Sequence, residues 1–465
     1  MKEEQLFYRP ENAWAADFIP YYNHIDKTYY LYFLLDWRDN DNHGEGTPWY
    51  LITTKDFVNF TEHGEILPRG GMEEQDLYVF TGSVIEAEGK YHIFYTGHNP
   101  HLQKKGFPQE AIMHAVSDDL IYWEKIPQDT FYAPTEIYEP HDWRDPFVFW
   151  NEEEKEYNML LTARLNNAPY NRKGCTVLCA SKDLIKWEVQ KTLWASELYF
   201  THECPDLFKI GELWYLIFSE FSDKCATRYR MSKSLCGPWI APSDDTFGGR
   251  AYYAAKTASD GEKRYLFGWI PTKDNNDDNR GWQWGGNLAV HEICQNNDGT
   301  LYSKIPETVL KSFLGETQIF PDRTLTAHDS CNLDLMGIPS SGAYKIELDI
   351  IFAENTKQCG IVLNYSNKSD TGYSLFIEPP AHRIKFDFFP SWNKPGMKNC
   401  ERPVELTAGE KNHLCVIVDN TCCVAYLNGK TALSGKMYEN NNGQIGLLVI
   451  DGEARFENIT ITNIK

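Results

Sequence analysis

The segment GKYHIFYTG, residues 89–97, has the form that decides the fold: a short polar turn followed by an aromatic-rich strand. The same form recurs as KTYYLYF from Lys27, KEYNMLLTA from Lys155, GELWYLIFS from Gly211 and EKRYLFGW from Glu262. The anchor aromatics of the five copies are Tyr29, Tyr91, Tyr157, Trp214 and Tyr265. Successive anchors stand 51 to 66 residues apart, which is room for several strands in each copy.

A second unit repeats within the same period. It reads ITTKDFVNF from Ile52, AVSDDLIYW from Ala115, CASKDLIKW from Cys179 and RMSKSLCGPW from Arg230. Each copy is a strand, a turn with Asp or Ser, and then an aromatic residue, and no stretch with a helical period separates the copies. Two units in one register predict an all-β fold that begins with a five-bladed β-propeller of four-stranded blades.

After about Lys311 the repeat stops and short alternating strands follow. Turns such as Asn428-Gly429 and Asp451-Gly452 separate them, which is typical of antiparallel hairpins. Eight strands at this spacing predict a β-sandwich of the jelly-roll kind. We therefore expect a catalytic propeller domain at residues 1–312 and a C-terminal β-sandwich at residues 313–465.

The composition narrows the classes of partner. The 465 residues include 45 basic and 66 acidic side chains, for a net charge of −21, which argues against nucleic acid and anionic membranes. The longest apolar run, residues 29–35, is too short to cross a bilayer, and the N-terminus has no apolar signal region. The 12 cysteines contain no CxxC pair, which favours reduced core thiols in a cytoplasmic protein. We expect neither a metal nor a cofactor, and the sequence indicates no oligomeric state.

Four positions stand ten to twelve residues before the first four anchors, where the first strand of each blade would face the propeller axis. They are Asp17, Thr81, Asp145 and Glu203. Three of the four are acids, although a single acid such as Asp145 could equally pair with the adjacent Arg144. Carboxyl groups that converge in an aromatic-rich pocket suit glycoside hydrolysis, because one must be ionised at the anomeric carbon and another must protonate the leaving group.

Three segments carry a resemblance to a known family: FTGSVIEAEGKYHIFYTGHN (residues 80–99), WRDPFVFW (143–150) and ECPDLF (203–208). They resemble glycoside hydrolase family 32, the invertases and fructan hydrolases. The resemblance extends over the whole chain architecture and implies a five-bladed propeller followed by a β-sandwich.

The resemblance also implies roles for the three acids. Asp17 would be the nucleophile, Asp145 would hold fructosyl hydroxyls and stabilise the transition state, and Glu203 would be the general acid/base. Arg144 would orient Asp145, and we expect Arg144 and Thr81 among the substrate-binding residues.

The first motif of this chain departs from that family. Its usual form is Trp-Met-Asn-Asp-Pro-Asn-Gly, whereas residues 14–20 read WAADFIP and both asparagines are absent. We expect Asp36 and Arg38 to supply substitute contacts to the sugar. Trp49 falls where the family has a pocket tryptophan, with a core aromatic as the equal alternative. Trp284 is expected to stack on the leaving-group sugar, with loop packing as the alternative.

These observations predict a retaining, exo-acting glycoside hydrolase that releases terminal β-D-fructofuranosyl units from short oligosaccharides. The partner would be a small saccharide. A fructosyltransferase or an inverting furanosidase on the same pocket remains open. So does a non-catalytic propeller that only binds saccharides.

Overall fold

The structure, a computed structural model, describes residues 6–391 and 395–464. Strands between residues 14 and 304 form the five blades of a β-propeller, and strands between residues 317 and 463 form a β-sandwich. The predicted fold class is confirmed. The proposed boundary between residues 312 and 313 falls between the two groups of strands and stays a prediction.

Each blade is an antiparallel sheet built from consecutive strands. Blade 1 contains β1 (Trp14–Asn23), β2 (Thr28–Asp36), β3 (Trp49–Thr54) and β4 (Thr61–Leu67). Blade 2 contains β5 (Tyr78–Ala87), β6 (Lys90–His98), β7 (Glu110–Ser117) and β8 (Glu124–Lys125). Blade 3 contains β9 (Tyr138–Asn151), β10 (Glu156–Leu165), β11 (Gly174–Ser181) and β12 (Glu188–Trp194). Blade 4 contains β13 (Glu203–Ile210), β14 (Leu213–Glu220) and β15 (Ala226–Ser232), and blade 5 contains β16 (Tyr253–Ser259), β17 (Arg264–Lys273), β18 (Trp282–Gln295) and β19 (Leu301–Lys304).

The five anchor aromatics all lie on second strands, β2, β6, β10, β14 and β17. These strands lie inside their blades and are largely buried. The first and last blades also meet through the pairing of Ala15 with Gly286. The repeat that was read from the sequence is therefore the repeat of blade centres.

Blade 4 departs from the predicted four-stranded form. Two isolated bridges, Arg228 with Thr246 and Met231 with Ile240, stand where the other blades have a fourth strand. Pro238 and a second proline four residues later lie in this segment, and a proline has no N–H to donate to a sheet. The outer edge of blade 4 is therefore irregular.

The turns after the third strands explain the second sequence unit. Asp56, Asp119 and Asp183 each accept hydrogen bonds from the backbone N–H groups two and three residues ahead, at 2.8 to 3.0 Å. Such side-chain to backbone bonds fix a tight turn. The acid of this unit therefore serves the fold and lies apart from the candidate site.

The sandwich is one hydrogen-bonded set of strands in the order β26-β25-β24-β23-β30-β22-β27-β28-β29, with β20 and β21 also paired to β30. Its strands are β20 (Thr317–Ile319), β21 (Arg323–Gly337), β22 (Ala343–Phe352), β23 (Gln358–Ser366), β24 (Thr371–Glu378), β25 (Arg383–Phe389), β26 (Glu401–Pro403), β27 (Asn412–Asp419), β28 (Cys422–Leu427), β29 (Thr431–Lys436) and β30 (Gln444–Asn463). The long strand β30 pairs with β23 through its first half and with β22 through its second. It changes partner at Asp451 and Gly452, both at positive φ, and thereby connects the two halves of the sandwich.

The sandwich packs on blade 5 through a continuous apolar core. Within this interface, His291 Nδ1 and the Tyr426 hydroxyl are 2.7 Å apart. The Arg402 guanidinium donates to the carbonyls of Phe247 and Ala432 at 2.9 and 3.0 Å. These buried polar contacts fix the two parts in one orientation, since a shift would leave them unpaired.

The helices are short. The α-helices are α1 (Asn40–His43), α2 (Pro100–Gln103) and α3 (Glu307–Leu310). Single 3₁₀ turns occur at Pro127–Asp129, Tyr170–Arg172, Asp274–Asn276, Pro379–Ala381 and Pro395–Met397. In the part of the chain that the structure describes, no helix has the length and apolar character needed to cross a bilayer.

Candidate active site

A cavity of about 780 Å³ lies where the first strands of the five blades converge. Every blade contributes to its lining, through Asp17 on β1, Phe80 on β5, Asp145 on β9, Glu203 on β13 and Ala254 on β16. First strands surround the axis of a propeller, so the cavity is one end of the central channel.

Each first strand breaks its register with the second strand at the cavity. At four of the five breaks one residue has a left-handed backbone: Asp17 (φ 46°), Asp145 (φ 58°), Cys204 (φ 50°) and Ala254 (φ 49°). A bulge of this kind re-aims a side chain out of the regular alternation of a strand. The repeated bulge therefore explains why Asp17 and Asp145 face one cavity.

A second set of residues stands one position before the left-handed ones: Arg144, Glu203 and Tyr253. Glu203 Oε1 accepts a hydrogen bond from Arg144 Nη2 at 3.0 Å, and its Oε2 accepts one from the Tyr253 hydroxyl at 2.6 Å. Glu203 thus occupies a different blade position from Asp17 and Asp145. The similar spacings in the sequence conceal this offset of one residue.

Asp17 is partly buried and accepts two hydrogen bonds from neutral donors. The Thr81 hydroxyl donates to Oδ2 at 2.6 Å, and the Trp269 indole N–H donates to Oδ1 at 3.1 Å. Burial raises the pKa of Asp17 to about 6, while these two bonds act against the rise and the nearby Glu203 adds to it. At pH 7 most Asp17 carboxyls are therefore ionised and held in a fixed orientation.

Asp145 is buried, and backbone as well as side-chain donors hold it. Its Oδ2 accepts from the backbone N–H of Cys204 at 2.9 Å and from the Thr162 hydroxyl at 3.3 Å. Burial raises the pKa of Asp145 to about 7, the Arg144 guanidinium opposes the rise, and Glu203 reinforces it. Asp145 can therefore either accept or donate a hydrogen bond near neutral pH.

Arg144 stands among four carboxyl groups. Its Nη1 donates to Asp142 at 2.7 Å and to Glu110 at 3.4 Å, its Nη2 contacts Glu203, and its Nε lies 3.8 Å from Asp145. Arg144 thus touches both neighbouring acids, and its single positive charge is shared among the four.

One wall of the cavity belongs to the loop that joins β2 to β3. We call residues 36–41 the acidic lip, because Asp36, Asp39 and Asp41 line the cavity there. Arg38 is its only cation. The Asp39 carboxylate caps α1, and its hydrogen bonds with Asn42 lower the pKa of Asp39.

Arg38 lines the cavity as predicted, but its guanidinium is bound by the protein. Its Nη1 donates to Gln283 at 2.6 Å, and its Nη2 donates to the Thr272 hydroxyl at 2.8 Å. The same group lies 4.1 Å from the ring centroid of Trp14. Asp36 accepts from the backbone N–H of Arg38 at 2.8 Å. Arg38 therefore joins blade 1 to blade 5.

Two predicted substrate-binding residues do not line the cavity. The Trp49 ring is fully buried between blades 1 and 2, and its N–H donates to the carbonyls of Val79 and Phe80, both at 3.1 Å. Trp49 is therefore corrected to the core aromatic of the two alternatives. Thr81 is buried beneath Asp17, so its hydroxyl orients that acid and does not reach a ligand.

Trp284 lines the cavity and is 37% exposed, so a sugar ring has access to its face. It meets Trp269 edge-on, with ring centroids 6.4 Å apart. Trp284 is the one predicted aromatic that the structure brings to the cavity, and its role in stacking stays a prediction.

The segment before Trp284, residues 274–281, is anchored in the sandwich; we call it the blade 5 loop. Asp278 on this loop is buried with Lys273, and Lys273 Nζ contacts Asp278 Oδ1 at 2.7 Å. The Tyr373 hydroxyl on β24 donates to Asp278, and the backbone N–H of Tyr438 donates to Asp278 Oδ2 at 3.1 Å. The sandwich therefore holds one edge of the cavity.

The sequence analysis missed Tyr253 and Trp269. Tyr253 stands twelve residues before the fifth anchor, Tyr265, so extending the same count to blade 5 would have found it. Trp269 lies on a second strand, where the pattern indicated only a core aromatic. Nothing in the sequence distinguishes its N–H from that of a buried tryptophan.

The arrangement can perform acid–base and nucleophilic chemistry. Asp17, Asp145 and Glu203 line a single cavity, and each holds hydrogen bonds that fix its orientation. Across residues 6–391 and 395–464, no group of three or more His, Cys, Asp or Glu side chains is placed to bind a metal ion.

Comparison with known proteins places this chain among carbohydrate-active enzymes. The family model described as glycosyl hydrolases family 32 N-terminal domain matches residues 8–304. A sucrose-6-phosphate hydrolase from Vibrio alginolyticus is 26% identical over 330 residues, which are 66% of this chain and 64% of that enzyme. The match thus spans just under two thirds of that relative's length.

Solved structures share the whole architecture. A sucrose-6-phosphate hydrolase from Lactobacillus gasseri superposes with a TM-score of 0.76 at 18% identity, and 99% of this chain and 93% of that chain are covered. Fructan 1-exohydrolase IIa from Cichorium intybus superposes with a TM-score of 0.77 at 15% identity. The superposition covers 100% of this chain and 98% of that chain. At these identities the likeness establishes the fold alone.

Proposed function

This chain belongs to glycosyl hydrolases family 32, and we propose that it releases terminal β-D-fructofuranosyl units from short fructose-containing oligosaccharides. It is a glycoside hydrolase by family, whereas the substrate and the stereochemistry are proposals. One observation carries them: Asp17, Asp145 and Glu203 come from three blades and line one cavity.

The proposed reaction is a double displacement. The Asp17 carboxylate attacks the anomeric carbon of the fructosyl unit as Glu203 gives its proton to the departing oxygen. Glu203 then takes a proton from water, and that water cleaves the fructosyl–Asp17 ester with retention of configuration. Although burial raises the pKa of Asp17 to about 6, its carboxyl group is still mostly ionised at pH 7, as a nucleophile must be.

The other groups support the two reacting acids. Tyr253 donates to Glu203, and burial, followed by the charge of Glu203, raises the pKa of the phenol, so that it remains a donor. Asp145 would hold two fructosyl hydroxyls, and Arg144 would keep Asp145 and Glu203 in place.

Attack at the chain end fits the shape of the site. Asp145 is buried at the bottom of the cavity, and Trp284 stands exposed at its edge. A terminal fructosyl unit would reach the acids while the rest of a short substrate lies against Trp284. This arrangement favours attack at a chain end.

We also propose a cytoplasmic location. All twelve cysteines are unpaired, as is usual in a reducing compartment. Fractionation of the cells that make the protein tests this.

The deciding experiment is a substrate panel of sucrose, kestose, inulobiose, levanbiose, difructose anhydrides, polymeric inulin and levan, and sucrose 6-phosphate. The last belongs there because the compared hydrolases from Vibrio alginolyticus and Lactobacillus gasseri are named for it. We expect fructose release from short fructosides, and methyl β-D-fructofuranoside when methanol is added as acceptor.

Each alternative has its own outcome. An inverting furanosidase would form no methyl fructoside, and a fructosyltransferase would form longer oligosaccharides in preference to fructose. A binding propeller would show affinity without turnover. Cleavage of polymeric inulin or levan with kcat/KM equal to that of the best short substrate would refute the preference for short chains.

A further inference from the structure

The cavity has an excess of negative charge that the proposed reaction does not require. Six carboxyl groups line it, and Arg38 and Arg144 are the only cationic side chains among its lining residues in the described part of the chain. Three of the six carboxyls belong to the mechanism, and the other three form the acidic lip at residues 36–41.

Neither arginine is available to an anionic ligand. Arg38 already gives hydrogen bonds to Gln283, Thr272 and the carbonyl of Trp284. Arg144 stands among four carboxyl groups, so the field around it stays negative. Binding a phosphate would require one of them to give up buried partners, which is costly.

A third arginine near the lip is also engaged. Arg69 donates to the carbonyl of Gly46 at 3.0 Å and contacts the carbonyls of Gly44 and His43. These bonds hold the loop behind the lip and keep the guanidinium out of the cavity lining. Among the described residues, these three arginines thus leave the lip acids without a free guanidinium to neutralise them.

From this charge distribution, and given the proposed function, we infer that the site selects uncharged fructosides and rejects phosphorylated ones. Asp39 and Asp41 are the residues that determine this specificity. A sugar phosphate carries a charge of about −1.5 to −2 at pH 7, and the two lip carboxylates repel it as it enters. Asp39 is suited to repelling a phosphate, because its hydrogen bonds with Asn42 keep its carboxylate ionised and in place.

The test compares kcat/KM for sucrose with that for sucrose 6-phosphate at low ionic strength. We expect sucrose to be preferred by about 100-fold, and the double variant Asp39→Asn/Asp41→Asn to narrow the ratio about tenfold. Asparagine also caps helices, so the first change should preserve α1. Added salt should narrow the ratio of the parent enzyme more than that of the variant.

The matched control is Glu153→Gln/Glu154→Gln, which removes two exposed charges from the β9–β10 turn at the opposite end of blade 3. It should leave the ratio unchanged. Equal or faster hydrolysis of sucrose 6-phosphate by the parent, or a ratio that the lip variant leaves unchanged, would overturn the inference.

A binding measurement separates this inference from the proposed function. Titration calorimetry with glucose and glucose 6-phosphate, the leaving groups of sucrose and sucrose 6-phosphate, needs no turnover. If no fructoside of the panel is hydrolysed, the proposed function fails, while weaker binding of the phosphate would still support the charge argument. Tighter binding of glucose 6-phosphate than of glucose would overturn it in either case.

Discussion

The floor and the rim of the cavity are built by different means. The floor consists of residues on the bulged first strands, where the same backbone deviation recurs from blade to blade. The rim consists of the acidic lip and the blade 5 loop, which long-range partners hold in place, including Tyr373 of the sandwich. The proposed chemistry thus rests on local repeated geometry, and the proposed specificity rests on contacts between distant parts of the chain.

The sharpest test of the floor replaces its acids. We expect Asp17→Asn and Glu203→Gln each to lower kcat by roughly 10³- to 10⁴-fold, because each removes a group that we propose reacts with substrate. Initial rates on the best panel substrate measure this. Asp118→Asn is the control, since this acid is 79% exposed on a blade 2 turn. Near-normal rates for both floor variants would end the assignment.

The same floor residue should weaken the fold while it serves the chemistry. Burial raises the pKa of Asp17 to about 6, so ionising this acid costs more free energy in the folded than in the unfolded state, and the full cost is present above about pH 6. Asp17→Asn should therefore raise the free energy of unfolding at pH 7 by about 2–3 kcal/mol. The gain should vanish below about pH 4, where the acid is protonated in both states. Denaturant unfolding at the two pH values measures it, and an equal gain at both would contradict the cause given.

The rim should respond in KM more than in kcat. Tyr373→Phe removes the hydroxyl that holds Asp278, so the blade 5 loop and Trp284 should shift, and KM should rise about tenfold. Tyr344→Phe is the control, because this buried sandwich hydroxyl has no hydrogen-bond partner among the described residues. A fall in kcat alone would assign the loop to the chemistry.

The smallest expected effect concerns the pH profile. Trp269→Phe removes the N–H that stabilises the ionised Asp17, so the pKa of that acid should rise further. The acid limb of kcat/KM should move up by about 0.5 pH unit, with the plateau little changed. An unmoved limb would mean that another group controls it.

Sequence reasoning found the floor because its signals are local. Anchor aromatics at a regular period identify the second strands, and a short count back from them reaches the acids. Counting back from an anchor aromatic is not accurate to a single residue, so the one-residue offset of Glu203 from Asp145 was missed. A single residue nevertheless decides to which face of a strand a side chain points.

The rim escaped the same reasoning because its contacts join distant residues. Lys273 and Asp278 read as ordinary surface charges until Tyr373, about a hundred residues later, is seen to cover them. Likewise, nothing in the pattern around Trp49 tells a pocket aromatic from a core one. In both cases tertiary packing determines whether the residue is buried or faces the cavity, and the neighbouring sequence does not predict that packing.

The bulge position of blade 5 faces the cavity but carries no functional side chain. Ala254 has the same left-handed backbone as Asp17 and Asp145 and lines the same cavity. Alanine is strained in that conformation, whereas asparagine and aspartate adopt it more readily. A protein engineer could therefore install a new functional group there, pre-aimed at the substrate, while relieving strain in the scaffold. A propeller that repeats its backbone more faithfully than its side chains in this way keeps spare sites for new chemistry.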